Sequence, residues 1–179
     1  MADLSKKRWY DANKTLSSSI QMLDAMPMEM QTLIAETMIV LAERECKADK
    51  LMDELKSLGA EVVLALYKSK NKRRSYDANP ELHKAMNYLY ILPYNNRTFM
   101  GEQIIEVITH VHDYLQVCKA AKADANMEEV ARITRTFANL GSAEATKTVN
   151  QLKEHYGVLE MPADTVKEKE SGMQIRDKK

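Results

Sequence analysis

Hydrophobic residues recur along most of the chain with the spacing of amphipathic helices. From Met28 to Leu58 and from Arg97 to Ala123 they return every three or four positions, and each stretch predicts one long helix. Shorter stretches with the same spacing predict helices at about 13–25, 60–71, 79–92, 127–139 and 142–156. The alternation of polar and apolar residues that is typical of strands is nowhere sustained. The pattern therefore predicts an all-α bundle of about seven helices.

Asparagines and prolines mark the ends of the predicted helices. Asn13 and Asn79 suit N-caps, because an asparagine side chain accepts a hydrogen bond from a free backbone N–H of the first turn. Pro80 suits the first helical position, where a missing N–H has no consequence. Helices seldom continue through proline, so we expect Pro27 and Pro93 to separate the short helices from the long ones that follow.

A short stretch of sequence occurs twice, 66 residues apart. Residues 6–13 are KKRWYDAN and residues 72–79 are KRRSYDAN, with six of eight letters identical. At the same offset Thr32 falls on Thr98, Pro27 falls on Pro93, and further apolar positions coincide. The stretch contains the asparagine of a predicted N-cap in both places. We therefore interpret it as the junction at which one helix ends and the next is capped.

The repeated stretch predicts an internal duplication, with residues 6–71 and 72–137 as its two halves. A closing helix at 142–156 would complete one helical-bundle domain over residues 1–157. Residues 158–179 are charged and poor in large apolar groups, and we expect them to form a tail. The alternative is that two amphipathic stretches resemble each other only because they share the helical period.

Composition and charge favour a soluble cytoplasmic protein without a membrane span. Basic and acidic residues number 26 each, so the basic excess that is usual in a nucleic-acid binder is absent. The first residues are polar and lack the apolar core of a secretory signal, and no apolar run reaches the ~20 residues that cross a bilayer. The two cysteines, Cys46 and Cys118, are too few for a disulfide framework, which favours a reducing compartment.

Two basic segments are candidate anion sites, and each comes just before one of the two repeated tyrosines. Cations beside aromatic rings can bind phosphates while the rings stack on bases. They can also complement the C-terminal dipole of a preceding helix, which is the structural alternative. The candidate residues are Lys6, Lys7, Arg8, Tyr10, Lys68, Lys70, Lys72, Arg73, Arg74 and Tyr76.

A histidine-rich stretch of the second long helix raises the alternative of a metal site. His110 and His112 point about 200° apart on a helix, so they cannot bind one ion together. Glu106, His110 and Asp113 share one side and are the weak candidates for ligands. The Glu-x-x-His pairs of di-iron bundles do not occur. We expect these side chains at the rim of the bundle, and we expect no cofactor.

No motif for catalysis or for a phosphate loop occurs in the sequence. The first functional hypothesis is a non-enzymatic cytosolic interaction or regulatory protein. It would self-associate or bind a protein partner through its long amphipathic helices, which exceed the mean helix length of about 11–12 residues. The alternatives are binding of anions or nucleic acid by the basic segments, and a metal-dependent helical bundle.

Overall fold

The computed structural model describes residues 8–59 and 75–158, and the regular elements within them are helical. The α-helices are α1 (Lys14–Asp24), α2 (Met28–Cys46), α3 (Ala48–Ser57), α4 (Pro80–Ile91), α5 (Tyr94–Ala121), α6 (Met127–Leu140) and α7 (Ser142–His155). Two 3-10 turns, Trp9–Ala12 and Ser75–Ala78, come just before α1 and α4. The all-α prediction is confirmed. The helix predicted at 60–71 and nearly all of the predicted tail lie outside the described residues.

Both predicted asparagine caps are confirmed. The side chain of Asn13 accepts a hydrogen bond from the backbone N–H of Leu16 at 3.0 Å, and Asn79 accepts one from Leu82 at 3.1 Å. Pro80 occupies the first position of α4, as its missing N–H predicts. The repeated stretch therefore places the same cap and the same 3-10 turn at the start of two helices.

The two capping asparagines also connect the two halves of the chain. The amide nitrogen of Asn13 donates to the hydroxyl of Thr98 on α5 at 2.7 Å, and that of Asn79 donates to the hydroxyl of Thr32 on α2 at 3.0 Å. Accordingly α1 packs along α5, while α4 packs along α2. Each short helix is thus held by the long helix of the other half. The internal duplication of the sequence itself stays a prediction.

One long helix of the prediction is two helices in the structure. The pattern predicts a single helix from Met28 to Leu58, but α2 ends at Cys46, where Lys47 adopts the left-handed conformation with φ 51°. Neither proline nor glycine marks this position. The next helix, α3, packs against α2 and α4 and buries Ala48 and Met52. The break therefore follows from packing, and α5 at the matching offset runs without a break.

The buried apolar side chains form two neighbouring clusters. The larger joins α1, α2, α3 and α4 to the first half of α5, and includes Leu16, Ile20, Ile34, Leu41, Leu82, Leu89 and Ile104. The smaller joins the second half of α5 to α6 and α7, and includes Val111, Tyr114, Val130, Ile133, Val149 and Leu152. The apolar stripes of α2 and α5 therefore face the interior. None of the described helices combines the length and apolarity that crossing a membrane requires.

Candidate functional site

The candidate metal ligands of α5 differ from one another in their exposure. Glu106 is half-buried and Asp113 is exposed, whereas His110 is buried. The ring of His110 lies under α6 and the start of α7, with its Nε2 3.0 Å from the Ser142 hydroxyl and its centroid 5.7 Å from the Phe137 ring. The rim position expected for His110 is therefore wrong, because α6 and α7 cover it. Within residues 8–59 and 75–158 no three potential ligands form a group that could hold a metal ion.

Most of the predicted anion-binding cations belong to segments outside the described residues. Lys6, Lys7, Lys68, Lys70, Lys72, Arg73 and Arg74 lie outside the described residues. Of the two aromatic residues predicted beside them, Tyr10 is 2% exposed and Tyr76 is 3% exposed. Because both rings belong to the core, neither is open for stacking on a base, and the part of the prediction that gave them this role is wrong. Binding of anions by the basic segments stays a prediction.

Arg8, the one described cation of the first basic segment, interacts mainly within its own junction. Its Nη1 donates to the hydroxyl of Tyr10 and lies 4.0 Å from a carboxylate oxygen of Asp24. Burial raises the pKa of Tyr10, and the nearby guanidinium of Arg8 acts in the opposite direction. The charge of Arg8 is therefore partly balanced by neighbouring residues.

A group of aromatic and arginine side chains lies at the junction between α4 and α5. Trp9 and Tyr90 meet edge to face, with ring centroids 5.2 Å apart at 89°. The guanidinium carbon of Arg97 lies 5.2 Å from the Trp9 ring centroid and 5.9 Å from that of Tyr90. These distances fit cation–π contacts with both rings. We call Trp9, Tyr90 and Arg97 the aromatic–arginine cluster.

The aromatic–arginine cluster is open to solvent on one side. Trp9 packs against the larger core cluster and is half-buried, as is Arg97, whereas Tyr90 is 39% exposed. Tyr94, at the start of α5, is 59% exposed. One terminal nitrogen of Arg97 donates to the main-chain carbonyl of Tyr90. Its Nε–H is shielded from solvent and has no acceptor among the described residues.

No protein-family model, no curated protein and no solved structure matches the chain. The candidate site is therefore identified from the geometry of the described residues.

The aromatic–arginine cluster presents chemical groups that are suited to binding. An indole, a phenol and a guanidinium offer flat apolar faces and hydrogen-bond donors. Tryptophan, tyrosine and arginine are also the residue types most enriched among side chains that contribute most to protein–protein affinity. The three residues of this site lie in three separate segments that only folding brings together, so the sequence did not predict the site. No pattern among residues that are neighbours in the sequence identifies this site.

Proposed function

We propose that this chain is a non-catalytic cytosolic interaction protein that binds a protein partner through the aromatic–arginine cluster. The observation that carries the proposal is the contact of Arg97 with both Trp9 and Tyr90 at a surface where Tyr90 remains 39% exposed. A rigid group of this composition can supply affinity with little loss of side-chain freedom on binding, because its members already hold one another in place.

The long helices are poorer candidates for the contact surface. Their apolar stripes, including Ile34 and Met38 on α2 and Ile104 and Val107 on α5, are buried inside the bundle. A partner could reach them only by opening the core. We therefore no longer expect a partner to dock on these stripes, and we propose that it docks at the junction of α4 and α5.

The cytosolic setting is part of the proposal. Cys46 and Cys118 are both free and both buried, and burial raises the pKa of the Cys46 thiol. Thiols in this state serve as small apolar packing groups and react slowly with oxidants. This arrangement suits a chain that folds under reducing conditions.

Selection of short random peptides on the immobilised full-length protein tests the proposal. We expect peptides that bind the wild-type chain and lose about tenfold or more in affinity on Tyr90→Ala, the loss typical of one dominant interface side chain. Trp9→Ser is the second variant, and we expect it to weaken the same peptides. Circular dichroism of each variant would establish that it folds.

Leu140→Ala is the matched control, because Leu140 is 68% exposed at the end of α6 and is not part of the cluster. We expect it to leave peptide affinity unchanged. The proposal would be rejected if no selected peptide depended on Tyr90 or Trp9. It would also be rejected if light scattering showed a homodimer that Tyr90→Ala separates, since the cluster would then bind a second copy of the chain.

A further inference from the structure

The 66-residue offset provides an internal comparison for the aromatic–arginine cluster. Residues that form the junction are identical at both places, as with Tyr10 and Tyr76 in the core and Asn13 and Asn79 as caps. The three cluster residues are not: Trp9, Tyr90 and Arg97 fall on Ser75, Asp24 and Gln31. The same junction is therefore built once with the cluster and once without it. The scaffold alone does not require these three side chains.

Gln31 shows which interaction of Arg97 the fold itself requires. Its side-chain nitrogen donates to the main-chain carbonyl of Met26 at 2.9 Å, just beyond the end of α1. Arg97 makes a similar contact with a carbonyl of the preceding helix, that of Tyr90 near the end of α4, although the offset position of Met26 is Leu92. A neutral amide is thus sufficient to tie a long helix to the residues that precede it. The positive charge of Arg97 is additional to this structural task.

Among the described residues, the charge of Arg97 also lacks a counterpart. Arg8 lies 4.0 Å from Asp24, but across residues 8–59 and 75–158 no carboxylate comes within ion-pair distance of Arg97. Its Nε–H is shielded from water and finds no acceptor in the described part of the chain. One terminal nitrogen of Arg97 already donates to Tyr90 and its Nε–H is shielded, so the remaining terminal N–H groups are the donors that a carboxylate oxygen can accept from.

We propose that Arg97 binds the carboxylate of an aspartate or glutamate in the partner, while Trp9 and Tyr90 contact the apolar residues beside that acid. The proposal rests on the proposed function and names the chemistry of the partner segment. A polyphosphate chain fits less well, because Asp11 and Asp24 lie beside Arg8 in the same junction. One cation beside two rings suits one acidic side chain in an otherwise apolar segment.

A double-mutant cycle on the selected peptides tests this inference. The protein variant is Arg97→Gln, which installs the residue found at the offset position, and the peptide variant replaces each aspartate or glutamate in turn by asparagine or glutamine. We expect one such replacement to weaken binding to the wild-type chain by about tenfold. The same replacement should change binding to Arg97→Gln by less than about twofold. Arg135→Gln, at an exposed position on α6, is the control and should behave as wild type.

The outcomes separate this inference from the proposed function. One outcome is that selected peptides depend on Tyr90 and yet bind equally well after each aspartate or glutamate is replaced. That result would support the proposed interaction surface and contradict the proposed role of Arg97. A mixed-sequence single-stranded oligonucleotide forms the second arm. Binding of this probe that is tighter than that of the acidic peptides and is abolished in Arg97→Gln would show a phosphate ligand, and would overturn the assignment to a carboxylate.

Discussion

His110 lies beneath the junction of α6 and α7, where its Nε2 is 3.0 Å from the hydroxyl of Ser142. Burial lowers its pKa below the ordinary value of 6.5, although the nearby carboxylates of Glu106 and Asp113 act in the opposite direction. The ring is therefore held in its neutral form in the folded protein at neutral pH. Its chemistry is set by the helices that cover it, and its own helix alone would leave it at the edge of the apolar stripe.

The lowered pKa of His110 predicts a loss of stability in mild acid. Below about pH 6.5 the unfolded chain binds a proton at this position before the folded chain does. The stabilising contribution is therefore present above about pH 6.5 and is lost as the pH falls through the lower pKa of the folded state. Urea unfolding between about pH 8 and about pH 5 measures it.

The variant that checks this prediction is His110→Gln, which removes the titrating group and keeps a polar side chain. We expect the free energy of unfolding of this variant to fall less steeply with acid than that of the wild type. His112→Gln is the matched control, because His112 is exposed on the same helix and should leave the wild-type dependence in place. An unchanged pH dependence in His110→Gln would show that the prediction is wrong.

At the scale of the elements, the crossing of α1 and α5 depends on a glycine. A Cβ atom at Gly101 would lie 2.8 Å from the backbone nitrogen of Leu16 and 3.0 Å from the carbonyl carbon of Thr15. These atoms belong to the backbone of α1 and cannot move aside without shifting that helix. The residue at the matching offset is Ala35, which is buried on α2. The two crossings of short and long helices therefore differ in how closely their backbones approach.

Gly101→Ala is expected to destabilise the protein by about 1–3 kcal/mol, the usual effect of overpacking in a tight contact. Alanine is the better helix former by about 1 kcal/mol, so propensity alone predicts the opposite sign. Thermal and urea unfolding of the purified variant measure the difference. Ala35→Gly is the companion variant, and we expect it to lose stability through weaker helix propensity. A Gly101→Ala variant as stable as the wild type would contradict the close approach of the two helices.

At the scale of the whole molecule, the two halves of the chain interlock. The first short helix packs on the second long helix, the second short helix packs on the first, and an Asn–Thr hydrogen bond holds each pair. The larger core cluster draws side chains from both halves. Neither half can therefore unfold alone without exposing apolar surface of the other.

This interlocking predicts one cooperative unfolding transition. Trp9 is the only tryptophan of the chain and packs against the larger core cluster, so its fluorescence reports that cluster. Far-ultraviolet circular dichroism reports the helices as a whole. We expect the two signals to give the same midpoint in urea. Asn13→Ala and Asn79→Ala should each shift both midpoints together, and two separate transitions in the wild-type chain would be evidence against the interlocked arrangement.

Much of this architecture follows from short-range patterns in the sequence. The spacing of apolar residues predicts the described helices except for the break at Lys47. Asn13 and Asn79 fix where α1 and α4 begin, because periodicity and capping depend on residues within about one turn of each other. The candidate site could not be predicted in this way. The basic segments are visible as local runs of charge, and Trp9 directly follows one of them, but nothing in the sequence around Trp9, Tyr90 or Arg97 indicates that the three side chains meet.

By itself the sequence determined the helical class, the helix ends at Asn13 and Asn79, and the recurrence of the junction, since each depends on side chains that meet within one or two turns. Only the tertiary structure decided that the helix predicted from Met28 breaks at Lys47, that His110 is covered, and that a tryptophan, a tyrosine and an arginine meet. These features depend on which helices lie against each other. Which helices pack together depends on the combined packing of both core clusters. Those contacts join residues far apart in the sequence, so no short window of sequence reveals them.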